Sequence, residues 1–154
     1  MSNILKWSFK NAIIGIGLWF CLIVIACAFL APVLAHSSMS AVADNIYGFL
    51  HKLCKVHGTN IFTILGHPIG ICARCIGSYI FAAIVLYTYL HKFKMSKVVF
   101  IIIGTLAIGE IIAEYFALFY ANDFIRLLDG FFLGAFLGMS FIKILDWLEG
   151  KKGW

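Results

Sequence analysis

The sequence predicts an all-α polytopic membrane protein with four transmembrane helices and one interfacial amphipathic helix, in a single domain of residues 1–154. The chain is 63% hydrophobic and only 12% charged, whereas a soluble domain is about half apolar and a quarter charged. The apolar residues also stand in long uninterrupted blocks, which is typical of helices surrounded by lipid. The net charge of +5 lies mostly in flanks and loops. Membrane topology explains that distribution better than nucleic-acid binding does, so we expect a lipid bilayer and no nucleic acid as partner.

The first predicted span covers residues 11–35, which carry no charged side chain and can cross about 30 Å of hydrocarbon. Its apolar run is longer than that of a signal peptide, so we expect it to be retained. Residues 36–71 form the longest connection. From Ser40, apolar residues recur at helical spacing, which predicts an amphipathic helix on the membrane surface that ends near Cys54. The apolar positions are Val42, Ile46, Phe49, Leu50 and Leu53.

Glycines at Gly66 and Gly70 predict a turn that returns the chain to the bilayer. The three further spans are predicted at residues 72–90, 98–121 and 124–148. Four spans place both termini on one side of the membrane. Basic residues are more frequent on the cytoplasmic side of membrane proteins. We therefore expect an inner or plasma membrane with both termini cytoplasmic, because eight of the 12 basic residues fall on the side of the termini. These are Lys6, Lys10, Lys92, Lys94, Lys97, Lys143, Lys151 and Lys152, against Lys52, Lys55, Arg74 and Arg126 on the other side.

Charged residues inside the last two spans predict an intramembrane network. Glu110 and Glu114 lie four residues apart in the third span, and Arg126 and Asp129 lie in the first turns of the fourth. A charge at this depth costs on the order of a few kcal/mol, so each needs a partner, protonation, or contact with protein or water. We expect Glu110 or Glu114 to approach Arg126 and to orient the two spans. The alternative is a path for ions or protons.

The fourth span also carries Gly130, Gly134 and Gly138 in a G-x3-G-x3-G pattern. Small residues at this spacing let a second helix approach closely. The sequence therefore predicts a packing face, and a membrane-protein partner or a second copy of the chain is a candidate to occupy it. The pattern implies no chemistry.

Two pairs of metal-binding residues organise the chain. Cys54 and His57 form a C-x2-H pair, and Cys72 and Cys75 form a C-x2-C pair. Together they supply the four ligands of a tetrahedral Cys3His site, for which zinc is the first candidate and copper the second. The same C-x2-C is also typical of a redox dithiol, because a helix N-terminus and the neighbouring Arg74 both favour a thiolate.

The cysteine segment resembles the signature of a family of small prokaryotic membrane proteins, known as domain of unknown function 2085. The resemblance rests on Cys54, on Gly66-His67-Pro68 and on Cys72-Ala73-Arg74-Cys75-Ile76-Gly77-Ser78-Tyr79. Members carry a Cys-His pair, then a Cys-x-Arg-Cys-x-Gly-x-Tyr run that opens a membrane helix, and later an acidic residue before an Arg and a Gly. The resemblance covers residues 46–140 and assigns Glu110, Arg126 and Gly130 to the later positions.

The chain departs from that family at Lys55, which follows Cys54 where the family has a histidine, while His57 lies two positions later. The fourth ligand of a metal site therefore stays open. The family has no established activity, so the resemblance implies a site in this segment without naming its function.

Three classes of function follow from these residues. The first is a metal-binding membrane protein that acts as a metal handler, a sensor or a subunit of an assembly. The second is a membrane thiol–disulfide oxidoreductase that uses Cys72 and Cys75, with a quinone as a candidate electron acceptor. The third is a small ion- or proton-coupled transporter that uses Glu110 and Glu114. The sequence carries no nucleotide-binding loop and no known hydrolase motif. These motifs therefore do not decide whether the protein is an enzyme.

Overall fold

The computed structural model describes residues 2–37, 39–54, 62–91, 96–115 and 123–148. These residues form five α-helices and one two-stranded hairpin. The elements are α1 (Ser2–His36), α2 (Ser40–Leu53), β1 (Thr63–Ile64), β2 (His67–Pro68), α3 (Ala73–Leu90), α4 (Lys97–Tyr115) and α5 (Asp123–Leu148). The predicted all-α fold is confirmed. The hairpin was not predicted.

Three helices are long and apolar enough to cross a membrane, at Phe9–His36, Ala73–Leu90 and Phe124–Leu148. A shorter apolar stretch, Val98–Gly109, lies in α4. The predicted span of residues 98–121 is described only as far as Tyr115, so the number of four spans stays a prediction. The membrane character of the fold is confirmed by these helices.

Contacts along the helices fix their directions. Gly17 of α1 lies against Leu86 of α3, and the ring of Phe20 lies 6.3 Å from that of Tyr79. Residue numbers fall along α3 as they rise along α1, so these two helices are antiparallel. On the other side of α5, Gly104 of α4 lies against the ring of Phe136, and α4 packs on α5.

The tightest packing joins α3 and α5, and it uses the predicted glycine face. A Cβ atom added to Gly130 would lie 2.0 Å from the carbonyl oxygen of Arg74, and one added to Gly134 would lie 2.1 Å from that of Ser78. At Gly138 the contact is looser, since an added Cβ would lie 3.2 Å from the side chain of Val85. Residue numbers rise together along both helices, which therefore run parallel.

This packing shows which helix lies on the glycine face. The Gly130–Gly138 face is covered by α3 of the same chain. The glycine pattern predicted such a close helix approach, and a membrane-protein partner or a second copy of the chain stays a prediction. Spacing within one helix contains no information about which helix packs on it.

A buried ion pair joins two helices at the end of the bundle where α1 begins and α5 ends. Lys10 of α1 donates hydrogen bonds to the carboxylate of Asp146 on α5 and to the hydroxyl oxygen of Tyr89 on α3. Only 4% of Lys10 is exposed, although the sequence assigns it to a polar flank. The first and last membrane helices therefore meet at the end that holds both termini.

Candidate metal centre

The first cysteine of the candidate site is placed by the end of α2. The helix stops at Leu53, and Cys54 takes an extended backbone conformation with φ −139° and ψ 108°. Its backbone N–H still donates to the carbonyl of Leu50 at 2.9 Å, which satisfies one of the last helical carbonyls. As the sequence predicts, the amphipathic helix ends at Cys54, and this side chain is buried.

A tight hairpin then reverses the chain. Ile64 and His67 pair across an antiparallel two-stranded ladder, and the connecting residues are Leu65 and Gly66 at φ 54° and φ 81°. Positive φ at both central positions is the requirement of a type I′ turn, in which glycine is favoured. The turn expected at Gly66 is thus present, in the form of a short hairpin.

The hairpin is held against α2 by two contacts. The Tyr47 hydroxyl donates a hydrogen bond of 2.7 Å to the carbonyl of Pro68. Gly70 packs so tightly that an added Cβ would lie 2.7 Å from Leu50 and 2.8 Å from Tyr47. This close approach brings the segment before α3 alongside the end of α2, where Cys54 lies.

The other two cysteines open α3. Cys72 takes the N-cap position with extended backbone, φ −72° and ψ 160°, and its carbonyl accepts the first helical hydrogen bond from Ile76 at 3.1 Å. Cys75 lies in the first turn. The spacing of three residues therefore places both sulfur atoms on the side of the helix start that faces Cys54.

The three sulfur atoms form a compact triangle. The Sγ of Cys54 lies 3.5 Å from that of Cys72 and 3.2 Å from that of Cys75. All three sulfur atoms lie within 4.8 Å of one another. None of the five cysteines forms a disulfide bond. Tetrahedral Zn–S bonds of about 2.3 Å place sulfur atoms about 3.8 Å apart, so three soft donors at these distances fit a thiolate-binding ion.

Electrostatics distinguish the cysteines outside the membrane span. The pKa of Cys72 is lowered to about 5, first by a hydrogen bond from Cys75, with further contributions from Cys54 and the Arg74 charge. Burial raises the pKa of Cys54. At neutral pH Cys72 is therefore a thiolate, and its neighbours supply the protons that a bound cation would displace.

An apolar shell encloses the sulfur atoms. Small residues of α1 lie beneath the site, since Ala28 and Ala31 are fully buried and leave room for α2 and the hairpin. Ile69 and Ile71, which lie between the hairpin and α3, are buried in the same cluster. Apolar surroundings exclude water, which strengthens charge interactions at the sulfur atoms.

Arg74, between the two cysteines of α3, forms an ion pair with the buried carboxylate of Asp129 on α5. Next to Asp129, Gly130 touches the Arg74 backbone. These contacts lock the start of α3 onto α5 and so orient Cys72 and Cys75. The sequence predicts that Asp129 belongs to a network with Glu110, Glu114 and Arg126, and the structure pairs it with Arg74.

The remaining predicted network residues are described in part. Arg126 is half-buried on α5. The side chains of Glu110 and Glu114 lie outside the described part of the structure, so their approach to Arg126 stays a prediction. Two interhelical charge pairs, Arg74–Asp129 and Lys10–Asp146, were not predicted. Each joins helices that are distant in the sequence, and local spacing gives no signal for such a pair.

The fourth ligand is not identified by the described residues. His57 lies outside them, and exposed His51 of α2 is not part of the three-sulfur group. Cys27 packs against the same apolar cluster, and Cys21 is buried in α1, but neither belongs to the group. The arrangement can therefore hold a soft cation through three thiolates, or exchange a disulfide among three adjacent sulfur atoms.

A family model described as a predicted membrane protein (DUF2085) matches residues 54–140, more than half of the 154 residues. The matched stretch begins at Cys54 and includes Cys72, Cys75, Arg74 and Asp129. The resemblance stated from the sequence is confirmed, with a later start than residue 46. No curated protein and no solved structure matches the chain significantly.

Proposed function

We propose that this chain, which belongs to the DUF2085 family of predicted membrane proteins, binds a transition-metal ion through Cys54, Cys72 and Cys75. Zinc is the first candidate and copper the second, since both accept thiolate and imidazole ligands. His57 is proposed as the fourth ligand from its spacing in the sequence. The resulting protein is a metal handler, a metal sensor or a subunit of a membrane assembly.

One observation carries this proposal. Three cysteines from two separate segments place their sulfur atoms within 4.8 Å of one another, and none is in a disulfide. Three thiols held together in an apolar cluster are costly unless their protons or an ion satisfy them. A bound cation would neutralise most of the charge of the three thiolates.

The location of the site favours a role in holding the outer elements together. Cys54 ends α2, whereas Cys72 and Cys75 begin α3. An ion bound to all three would therefore join α2 to the membrane bundle. Orientation of this end toward the outside of the cell is part of the proposal, and it rests on the distribution of lysines in the sequence.

The direct test is the metal content of the purified protein. The untagged wild-type chain should retain about one equivalent of zinc or copper, as three thiolates bind these ions tightly. Cys72→Ser and Cys54→Ser should each lose at least about 90% of the bound metal. Removal of a ligand should lower the metal affinity by no less than the roughly 10–100-fold that follows from mutation of an outer-shell partner. Elemental analysis after dialysis against a mild chelator gives the result.

Cys27→Ala is the matched control, since this half-buried cysteine contacts the same cluster without belonging to the three-sulfur group. It should keep the metal. A wild-type protein that binds no metal after reconstitution under reducing conditions would contradict the proposal. So would a Cys54→Ser variant that keeps its full metal content.

A second candidate function is thiol–disulfide exchange, favoured by the low pKa of Cys72. In this reaction the thiolate of Cys72 and the thiol of Cys75 form one disulfide and release two electrons and one proton. A quinone of the membrane would take up both electrons, this proton and a second proton from the solvent. Reversible formation of such a disulfide in metal-free protein, with a quinone analogue as oxidant, would support this function over metal binding.

The pH dependence of alkylation tests the charge state of Cys72 in the metal-free protein. With a pKa of about 5, Cys72 is almost fully ionised above about pH 6, so its alkylation rate should be flat between about pH 6 and 8. An ordinary thiol with a pKa of about 8.5 should instead react roughly tenfold faster for each pH unit over this range.

Peptide mass spectrometry distinguishes Cys72 from the other cysteines in this experiment. Cys54 is the internal control, because burial raises its pKa and its alkylation should still be increasing at pH 8. If Cys72 shows the same slope as Cys54, the thiolate assigned to it is wrong.

A further inference from the structure

Two histidines from separate elements face each other at the end of α1. His36 is the last residue of α1, and His67 lies in β2. Their rings are 6.1 Å apart between centroids, with the ring planes inclined by 65°. His36 is exposed and His67 is half-buried, so one side of the pair is open. Neither residue belongs to the group formed by the three cysteines.

The spacing of these rings suits a shared metal ion. With Zn–N bonds of about 2.0–2.1 Å, the centroids of two imidazoles that share a tetrahedral ion lie roughly 5.2 Å apart. The observed separation of 6.1 Å is within about 1 Å of that value, and a change in the side-chain torsions of exposed His36 would close the difference. The position is also electrostatically favourable, because the C-terminal end of a helix carries a partial negative charge that stabilises a nearby cation.

We propose that His36 and His67 form a second, surface site for a divalent transition-metal cation. Imidazole is a good ligand for Zn²⁺, Cu²⁺ and Ni²⁺, and water would complete the coordination on the open side. The site has two neutral ligands and no thiolate, so it binds more weakly than the cysteine centre and exchanges its ion with the solution. This inference is independent of the proposed function of the three cysteines.

The cation would join two separate elements of the fold. His36 belongs to the first membrane helix, whereas His67 belongs to the hairpin that α2 holds through Tyr47. Binding would therefore fix the hairpin on the end of α1. Since the hairpin leads directly into Cys72, occupancy of the surface site should also slow the reaction of alkylating reagents with the cysteines.

Zinc titration of the untagged, detergent-solubilised protein tests the site. Calorimetry on protein that already carries its tightly bound ion should reveal one further, weaker binding event. His36→Ala and His67→Ala should each weaken that event by at least about 10-fold, since loss of a ligand costs no less than loss of an outer-shell partner. His91→Ala is the control, because this exposed histidine lies at the other end of α3.

The outcomes separate this site from the cysteine centre. Cys54→Ser should lose the tightly bound ion and keep the weaker binding event. His36→Ala should keep the tightly bound ion and lose the weaker binding event. His36 is exposed at a helix end, so its replacement leaves the fold intact, and far-ultraviolet circular dichroism verifies this. The proposal is overturned if wild-type protein shows no weak zinc-binding event, whether or not the cysteines hold an ion, or if that event is unchanged in both His36→Ala and His67→Ala.

Discussion

Gly134→Val should prevent α3 and α5 from packing and should abolish the folded bundle. Even the first carbon of the new side chain would lie 2.1 Å from the carbonyl oxygen of Ser78, and a backbone atom cannot move aside as a side chain can. Overpacking costs typically about 1–3 kcal/mol and occasionally more, and this contact belongs at the upper end. Thermal unfolding in detergent, followed by circular dichroism, should show no cooperative transition near that of the wild type.

Gly15→Ala is the matched control for that experiment. Gly15 also lies within a membrane helix, but no atom lies within 4 Å of an added Cβ. This variant should be as stable as the wild type or more stable by up to about 1 kcal/mol, because alanine favours the helical backbone. A Gly134→Val protein that unfolds at the wild-type temperature would show that the α3–α5 contact differs from the one described.

Lys10→Met should be the most destabilising single change at the end of the bundle where α1 begins and α5 ends. It leaves Asp146 as a largely buried carboxylate without its cation, and it removes the donor to Tyr89. Loss of one member of a buried pair costs about 3–5 kcal/mol, far more than the 0.6 kcal/mol or so of an average interhelical hydrogen bond in a membrane protein. Chemical unfolding in mixed micelles measures the difference.

The double variant Lys10→Met/Asp146→Leu should recover a large part of that loss, because an apolar pair of similar volume leaves no charge unpaired. Lys52→Met is the control, since Lys52 is exposed on α2 and should change stability by less than about 0.5 kcal/mol. If the effects of the two single changes at Lys10 and Asp146 simply add, the ion pair contributes nothing specific to the bundle.

Much of the fold was predictable because lipid imposes a simple rule on sequence. Apolar runs must be helical where no water can satisfy the backbone, and this placed α3 and α5 within one residue of their observed bounds. The end of α1 was placed equally well, but the helix begins nine residues before the predicted span. The convergence of Cys54 with Cys72 and Cys75 was also predictable. Two pairs at ligand spacing, separated by a turn, leave few ways to arrange three cysteines.

The ion pairs and the hairpin depend on tertiary contacts, which the local sequence pattern does not reveal. Asp129 was expected to belong to an intramembrane charge network, but its ion pair with Arg74, 55 positions earlier, was not predicted. Lys10 directly precedes the first predicted span, which is typical of a flanking charge that sets membrane topology. In the structure its side chain is instead buried between three helices. The hairpin escaped prediction because its strands have two residues each, too few to show an alternating pattern.

The apolar spans of α1 and α3 differ in length, so the thickness of the bilayer affects how α1 is tilted. The apolar span of α1 has 28 residues and that of α3 has 18, so α1 is longer by about 15 Å at 1.5 Å per residue. Its C-terminal part still exposes apolar Phe29, Leu30 and Val33. A membrane of about 30 Å matches α3 and leaves α1 too long, which tilting or local thickening must absorb at a fraction of a kcal/mol per Å. Hydrophobic mismatch therefore couples the tilt of α1, and with it the support beneath the cysteines, to the thickness of the surrounding lipid.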